Sequence, residues 1–374
     1  MDESPQSSQS LEEILLKDDP ELDFIRMLTM GCIVLMLAGL GWYGYQIFSG
    51  EISLVGPGQI VLEQEEDFDS LIQLDQVSNL KGDGVKVCIV DTGIDMEHPD
   101  LANVNLGGWS DFIASKNTPY DDEGHGTMMA GILVADGGLT GVSTGVELFV
   151  AKALASNGSG DDAIVSEAVD WCISSNVHII SLSLGGAPGI LPTFLGGDAL
   201  EGSVDDAYSA GIVVVAAAGN DGENDDGDVA SPGSVSTVIC VGGVDERGAL
   251  WSGSSVGDNN GNAIPFRWIR FDPDKKPEVV APGKDVPVIM SGGGWGLASG
   301  TSAATVYVTG AIALMFEQNP ELKAGESQSS EDTLDDIKQW IMDSSKPKDG
   351  QTGHDNHYGY GLLQIEDLIE NSSS

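Results

Sequence analysis

Positive charge is the scarcest property of this chain. Sixteen Lys and Arg stand against 59 Asp and Glu in 374 residues, giving a formal net charge of -43 spread along the whole sequence. Such a surface repels phosphate backbones and anionic headgroups, which excludes nucleic acid and adhesion to an acidic membrane surface. Aromatic residues are also few, at 6%, whereas 50 glycines and 41% hydrophobic residues supply a core of small side chains with many tight turns. That composition excludes a disordered chain. Cysteine is limited to four residues: Cys32 in an apolar run, Cys88 and Cys240 in strand-like segments, and Cys172 in a helical pattern. No C-x-x-C spacing occurs, so neither a zinc site nor a disulfide framework is expected, and the four read as buried free thiols.

Charge is missing altogether from one stretch. Residues 1–26 form an acidic tail in which only Lys17 and Arg26 offset eight carboxylates, and the 22 residues from Met27 to Phe48 carry no charge. Residues 27–48 are therefore expected to form one N-terminal transmembrane helix, with Trp42, Tyr43 and Tyr45 gathered at its far end as interfacial aromatics are. A cleaved signal peptide fits less well, because the acidic lead lacks a basic n-region and no A-x-A site follows. Lys17 and Arg26 flank the near side, and no Lys or Arg follows before Lys81. The positive-inside rule then puts the N-terminus in the cytoplasm and the C-terminal domain outside a cell membrane that the chain crosses once. Residues 49–79, with Gly56-Pro57-Gly58 and the acidic cluster Glu63 to Asp69, read as a linker.

Beyond it, apolar strands alternate with helical patterns. Strands are expected at Val85–Val90, Leu148–Ala153, Val177–Ser183, Ile212–Ala216 and Val238–Val241, and helices over Thr127–Val134, Ala163–Ser174 and Val204–Ala210. This alternation predicts one α/β domain over residues 80–370, built on a mostly parallel sheet covered on both faces and carrying its function at the carboxyl ends of strands. Asp91 and Asn220 fall at such ends.

Gly300-Thr301-Ser302-Ala303-Ala304 then acquires meaning. It opens a helical apolar run, where free N–H groups and the helix dipole favour an attacking alkoxide. Acyl transfer by serine needs a base, a group to orient that base, and donors for the oxyanion. Ser302 would attack, His125 in Gly124-His125-Gly126-Thr127 would take and return the proton, and Asp91 in Asp91-Thr92-Gly93-Ile94 would hold the imidazole. Asn220 would donate its amide to the oxyanion together with the Ser302 backbone N–H.

The ordered set resembles the subtilisin-like serine proteases, the subtilase family, from about Gly82 to Leu362. Further matching motifs are His98-Pro99-Asp100-Leu101, Ser181-Leu182-Ser183-Leu184-Gly185, Ala281-Pro282-Gly283 and Tyr358-Gly359-Tyr360-Gly361. The resemblance implies a three-layer α/β sandwich and endopeptidase activity on extended polypeptides. Ser183, Leu184 and Gly185 would pair with the substrate backbone, and with Ala217, Ala218 and Gly219 would wall the pocket for the side chain before the scissile bond. Met128, Ala303, Val306 and Tyr307 depart from the family pattern without replacing a proton-transferring group. No cofactor is required for the chemistry, no metal ligand is assigned, and structural calcium remains open but unplaced. The resemblance places the acidic loop Asp221, Glu223, Asp225, Asp226 and Asp228 near the rim of the specificity pocket, where it would favour a basic residue before the cleaved bond or bind calcium through clustered carboxylates. In a chain this acidic it reads rather as solvated, His178 as a core residue, and Lys275-Lys276 as part of a surface insertion without a role. The partners implied are polypeptide substrates and, through residues 27–48, a lipid bilayer. A peptide-binding pseudoprotease is the alternative reading.

Overall fold

In the computed structural model, residues 20–48, 56–185, 198–222, 227–261 and 269–373 are described. Most of the acidic tail, the start of the expected linker and the loop carboxylates Glu223, Asp225 and Asp226 lie outside them. Residues 1–54 form one unit and residues 55–374 a second, larger one. In the first, helix α1 spans Pro20–Phe48, with Leu35, Leu37 and Leu40 exposed. Among the described residues no helix is long and apolar enough to cross a membrane.

The second unit is a sheet with helices on both faces. Its strands are β1 (Lys86–Asp91), β2 (Asn105–Asp111), β3 (Glu147–Lys152), β4 (Ile179–Leu182), β5 (Val213–Ala217), β6 (Ile239–Val244) and β7 (Val279–Pro282), in the order β2-β3-β1-β4-β5-β6-β7. Every neighbouring pair is parallel. A separate antiparallel hairpin joins β8 (Val286–Met290) to β9 (Gly294–Ala298). The helices are α2 (Gln59–Leu71), α3 (His125–Val134), α4 (Asp162–Ser174), α5 (Ala199–Ser209), α6 (Thr301–Gln318), α7 (Glu331–Ser344) and α8 (Ile365–Ser372).

Successive side chains of a strand face opposite ways, and the two cores follow that alternation. Val87 and Ile89 of β1 join the larger core with α2, α3 and α6, while Cys88 and Val90 join the smaller one with α4 and α5. The chain runs from β1 outward to β2 and β3, then crosses to β4 on the other side of β1. Loops therefore part company at the carboxyl end of β1, and a crevice opens there. Asp91 is its last residue.

Three expectations need correction. The stretch read as a linker carries α2 and a 3-10 turn, Leu74–Val77. Phe68 and Ile72 are wholly buried in the larger core, because Val61, Phe68 and Ile72 share the inward face of an otherwise charged segment. Cys88 and Cys172 are not free thiols but form a disulfide that ties β1 to α4 across 84 residues of sequence. Among the described cysteines Cys32 and Cys240 are unpaired, and Cys32 is exposed rather than buried. Lys276 is not on the surface: it is fully buried, donating to Glu278 Oε1 at 2.7 Å and to the Val238 carbonyl. Lys338 reaches the same Glu278 oxygen at 2.9 Å, so one carboxylate answers two interior cations. His178, read as a core strand residue, stands half-buried just before β4; it is satisfied there, its Nδ1 accepting from the Lys86 N–H at 3.0 Å.

Candidate active site

The site is assembled by backbone contacts too close for larger residues. Gly124, just before α3, has φ 109, in the left-handed region that favours glycine. A Cβ on Gly126 would lie 2.2 Å from the Gly93 carbonyl oxygen. The Gly126 N–H donates to Thr92 Oγ1 at 2.8 Å. The glycines of Asp-Thr-Gly and Gly-His-Gly thus let two loops interlock and bring His125 over Asp91.

His125 Nδ1 lies 2.8 Å from Asp91 Oδ1 and 2.9 Å from Oδ2. Asp91 is completely buried, and its Oδ1 also accepts from the Thr92 N–H at 2.7 Å. A carboxylate so held fixes the imidazole with its proton on Nδ1 and leaves Nε2 as the basic nitrogen. Burial alone pulls His125 down. The Asp91 charge and hydrogen bond, then the Glu123 and Asp121 carboxylates, overcome that and raise it to about 9.

Ser302 is the second residue of α6, a helix buried from Thr301 to Phe316. Being apolar on every side, it runs through the middle of the larger core, and its start is rigidly placed. Ser302 Oγ donates to the Ser183 carbonyl at 3.1 Å, while Ser183 Oγ donates back to the Ser302 carbonyl at 3.0 Å. The Ser302 hydroxyl therefore rests on the end of β4, and its hydrogen bond in this structure is not to His125. Rotation about Cα–Cβ is what redirects it, and such contacts commonly tighten only with substrate bound.

Asn220 is oriented by what it accepts. Its Oδ1 takes hydrogen bonds from the Thr301 N–H at 2.9 Å and from Thr301 Oγ1 at 3.0 Å. A backbone N–H can only donate, so the oxygen faces α6 and the amide nitrogen is turned elsewhere as a donor. The Ser302 N–H, in the first turn of α6, precedes the helical hydrogen-bond ladder.

A cleft of about 950 Å3 is lined by His125, Ser302, Asn220, Ser183, Leu184, Gly185, Ala217 and Gly219 among others. Asp91 lies buried beneath it. Ala218 stands apart from these, buried with Val229 and Cys240 behind the wall. The sequence reading missed residues that support or line the cleft. Lys152, fully buried at the end of β3, donates to the Thr92 carbonyl, to the Leu154 carbonyl at 3.0 Å and to Asp122 Oδ1 at 2.7 Å. Its only sequence signal was a lone lysine ending an apolar strand. Asp228, read as solvated, is buried and accepts from Arg270 Nη1 and Nη2 at 2.7 and 2.9 Å. The departures from the family pattern are absorbed by packing: Ala303, Val306 and Tyr307 are buried, and the Tyr307 ring stands 6.4 Å from that of Phe68 on α2. Among the described residues no group of three or more His, Cys, Asp or Glu side chains could hold a metal ion. Asp100 is engaged by the Gly138 and Leu139 N–H groups and by Trp295 Nε1 at 2.8, 3.0 and 2.7 Å.

Residues 82–361 match the model of the subtilase family. The chain is 34% identical to subtilisin NAT of Bacillus subtilis subsp. natto over 290 residues, covering 76% of this chain and 65% of the relative. It is also 34% identical to a subtilisin of Bacillus pumilus, with 76% and 90% covered. Serine protease AprX of Bacillus subtilis is 34% identical over 317 residues, with 78% and 67% covered. The chain thus spans about two thirds of the length of several curated relatives it matches.

Proposed function

The chain belongs to the subtilase family, and on that premise we propose that it is a serine endopeptidase acting through Asp91, His125 and Ser302. The observation that carries this reading is the His125 Nδ1 contact with both Asp91 oxygens, made at one wall of the cleft that Ser302 and Asn220 also line.

His125 Nε2 takes the Ser302 hydroxyl proton as Oγ bonds to the scissile carbonyl carbon. The resulting oxyanion is met by Asn220 Nδ2 and the Ser302 N–H. His125 then gives the proton to the leaving nitrogen, the C–N bond breaks, and an ester to Ser302 remains. Water, deprotonated by His125, attacks that ester and a second oxyanion collapses to release the acid and restore Ser302. Ser183, Leu184 and Gly185 pair with the substrate backbone.

The enzyme is tethered to a cell membrane through residues 27–48, with the catalytic unit on the outer face. The uncharged run and the exposed apolar side chains of α1 support the tether. The Cys88–Cys172 disulfide supports the outer face, since such bonds persist in oxidising compartments. Structural calcium is not required in this proposal.

Fluorophosphonate labelling of the membrane fraction tests it. Labelling of wild type that is lost in both Ser302→Ala and His125→Ala is expected, with the protein retained after carbonate extraction. No labelling of folded protein at any salt or calcium concentration would transfer the case to a peptide-binding pseudoprotease, a reading favoured by the Ser302–Ser183 hydrogen bond.

A further inference from the structure

The substrate class can be named from the charge of the cleft, if the protease reading above holds. Among the described residues, the lining includes Glu123, Asp162, Asp198, Asp221 and Asp228, and neither Lys nor Arg. Asp228 is answered from behind by Arg270. Among the described residues, no Lys or Arg forms an ion pair with any of the other four.

These four stand at three stations. Glu123 accepts from the His125 N–H at 2.7 Å, so it lies beside the base. Asp221 follows Asn220, whose amide is locked onto Thr301, so it lies beside the oxyanion donors. Asp162 opens α4 and Asp198 caps α5 through the Leu200 N–H. Val165, Leu184 and Leu200 line the same cleft, so it offers apolar side chains as well as these carboxylates. A Lys or Arg side chain has that same character, an aliphatic stem ending in a cation. Burial, then repulsion from Asp198 and Asp161, holds the Asp162 carboxyl above its ordinary value, and a cation set between Asp162 and Asp198 would relieve that repulsion.

We propose that the cleft selects polypeptides carrying Lys or Arg at the residue before the scissile bond, read by Asp221, and at a second residue nearer their N-terminus, read by Asp162 and Asp198. Glu123 adds to the field at the scissile bond itself.

The test uses the full chain and quenched fluorescent peptides that differ only in Arg or Leu at each of the two positions. At low salt the Arg peptide is cleaved with kcat/KM about tenfold higher at each position, and the ratio shrinks toward one in 1 M salt, where the Debye length falls to about 3 Å. Asp221→Asn lowers the ratio at the first position alone. Asp162→Asn combined with Asp198→Asn lowers it at the second alone; asparagine keeps the α5 cap, so the fold is retained. An enzyme that labels with fluorophosphonate but shows ratios of one or below at both positions overturns the selectivity and leaves the protease standing. No cleavage and no labelling overturns the protease reading, and this proposal with it.

Discussion

With His125 as the proposed base, its acidic surroundings set the pH at which the enzyme is expected to work. An isolated imidazole titrates near 6.5, and here burial is overcome by Asp91, Glu123 and Asp121 to give about 9. The interval corresponds to about 3 kcal/mol of extra proton affinity. In the proposed mechanism His125 of the free enzyme must be neutral to accept the Ser302 proton, so kcat/KM is expected to rise as pH rises through that value and to be lost as pH falls below it. At pH 7 about one molecule in a hundred carries the neutral base and at pH 9 about half do, which makes the expected gain about fiftyfold. The assay is kcat/KM on one peptide from pH 6 to 10.5 at constant ionic strength. Glu123→Gln keeps an acceptor for the His125 N–H but removes a charge, so its acidic limb moves to lower pH; 1 M salt moves the wild-type limb the same way. A limb at pH 7 or below, unmoved by Glu123→Gln, would refute the reasoning.

Four further outcomes follow from individual contacts. Asn220→Ala slows kcat by about 10² to 10³ with KM little changed, the range known for a subtilisin oxyanion asparagine; steady-state kinetics decide it, and a wild-type kcat removes Asn220 from the role. Lys152→Met strands the Thr92 and Leu154 carbonyls in the interior, so urea unfolding should show a loss of about 2 to 4 kcal/mol, two unmade bonds at ~1 to 2 each. Replacing Cys88 and Cys172 together by Ala opens a crosslink over 84 residues and lowers stability by about 2 to 5 kcal/mol, read in the same titration. Asp69 is raised to about 7 by burial and then by Glu65 and Asp75. Its contribution is complete below the unfolded value near 3.8 and is lost as pH rises through 7, so Asp69→Asn should raise Tm at pH 8 and not at pH 4.

How much of this was legible in the sequence depended on range. Strands β1, β3, β4, β5 and β6 announce themselves as apolar runs, and the residues proposed for catalysis lie at or just beyond element ends, where short glycine-bearing motifs mark them. The need for Gly126 is a 2.2 Å approach to Gly93, and both glycines stand in the motifs. Long-range pairings left no such mark. Cys88 faces α4 because β1 alternates, but nothing local says that Cys172 is on the facing turn. Helix α2 looked like a linker because its surface is acidic and only a few of its residues, Phe68 among them, pack inward. Lys275-Lys276 looked like a surface turn because it follows Asp272-Pro273-Asp274. The first lysine does stay near the surface and pairs with Asp272 at 3.1 Å, while the second turns inward to Glu278.

That last pair points to how a chain of net charge -43 builds an active site. Acidic residues repel one another everywhere on such a surface, so a wall of the cleft that carries Asp228 needs a cation to hold it. Arg270 supplies it with two hydrogen bonds to Asp228 and a third, at 3.2 Å, to the Ser234 carbonyl. Lys276 and Lys338 converge on Glu278, whose Oε2 accepts from the Cys240 N–H at 2.8 Å on β6. Lys152 does the corresponding work under Thr92 on the other wall. None of the scarce basic residues named here is among the described residues that line the cleft. Had they lined it instead, they would have neutralised Glu123, Asp162, Asp198 and Asp221 and lowered the base strength of His125. Their engagement of buried carboxylates and carbonyls away from the described lining leaves the field in the groove, so the fold's electrostatic support and the proposed preference for basic polypeptides have one origin.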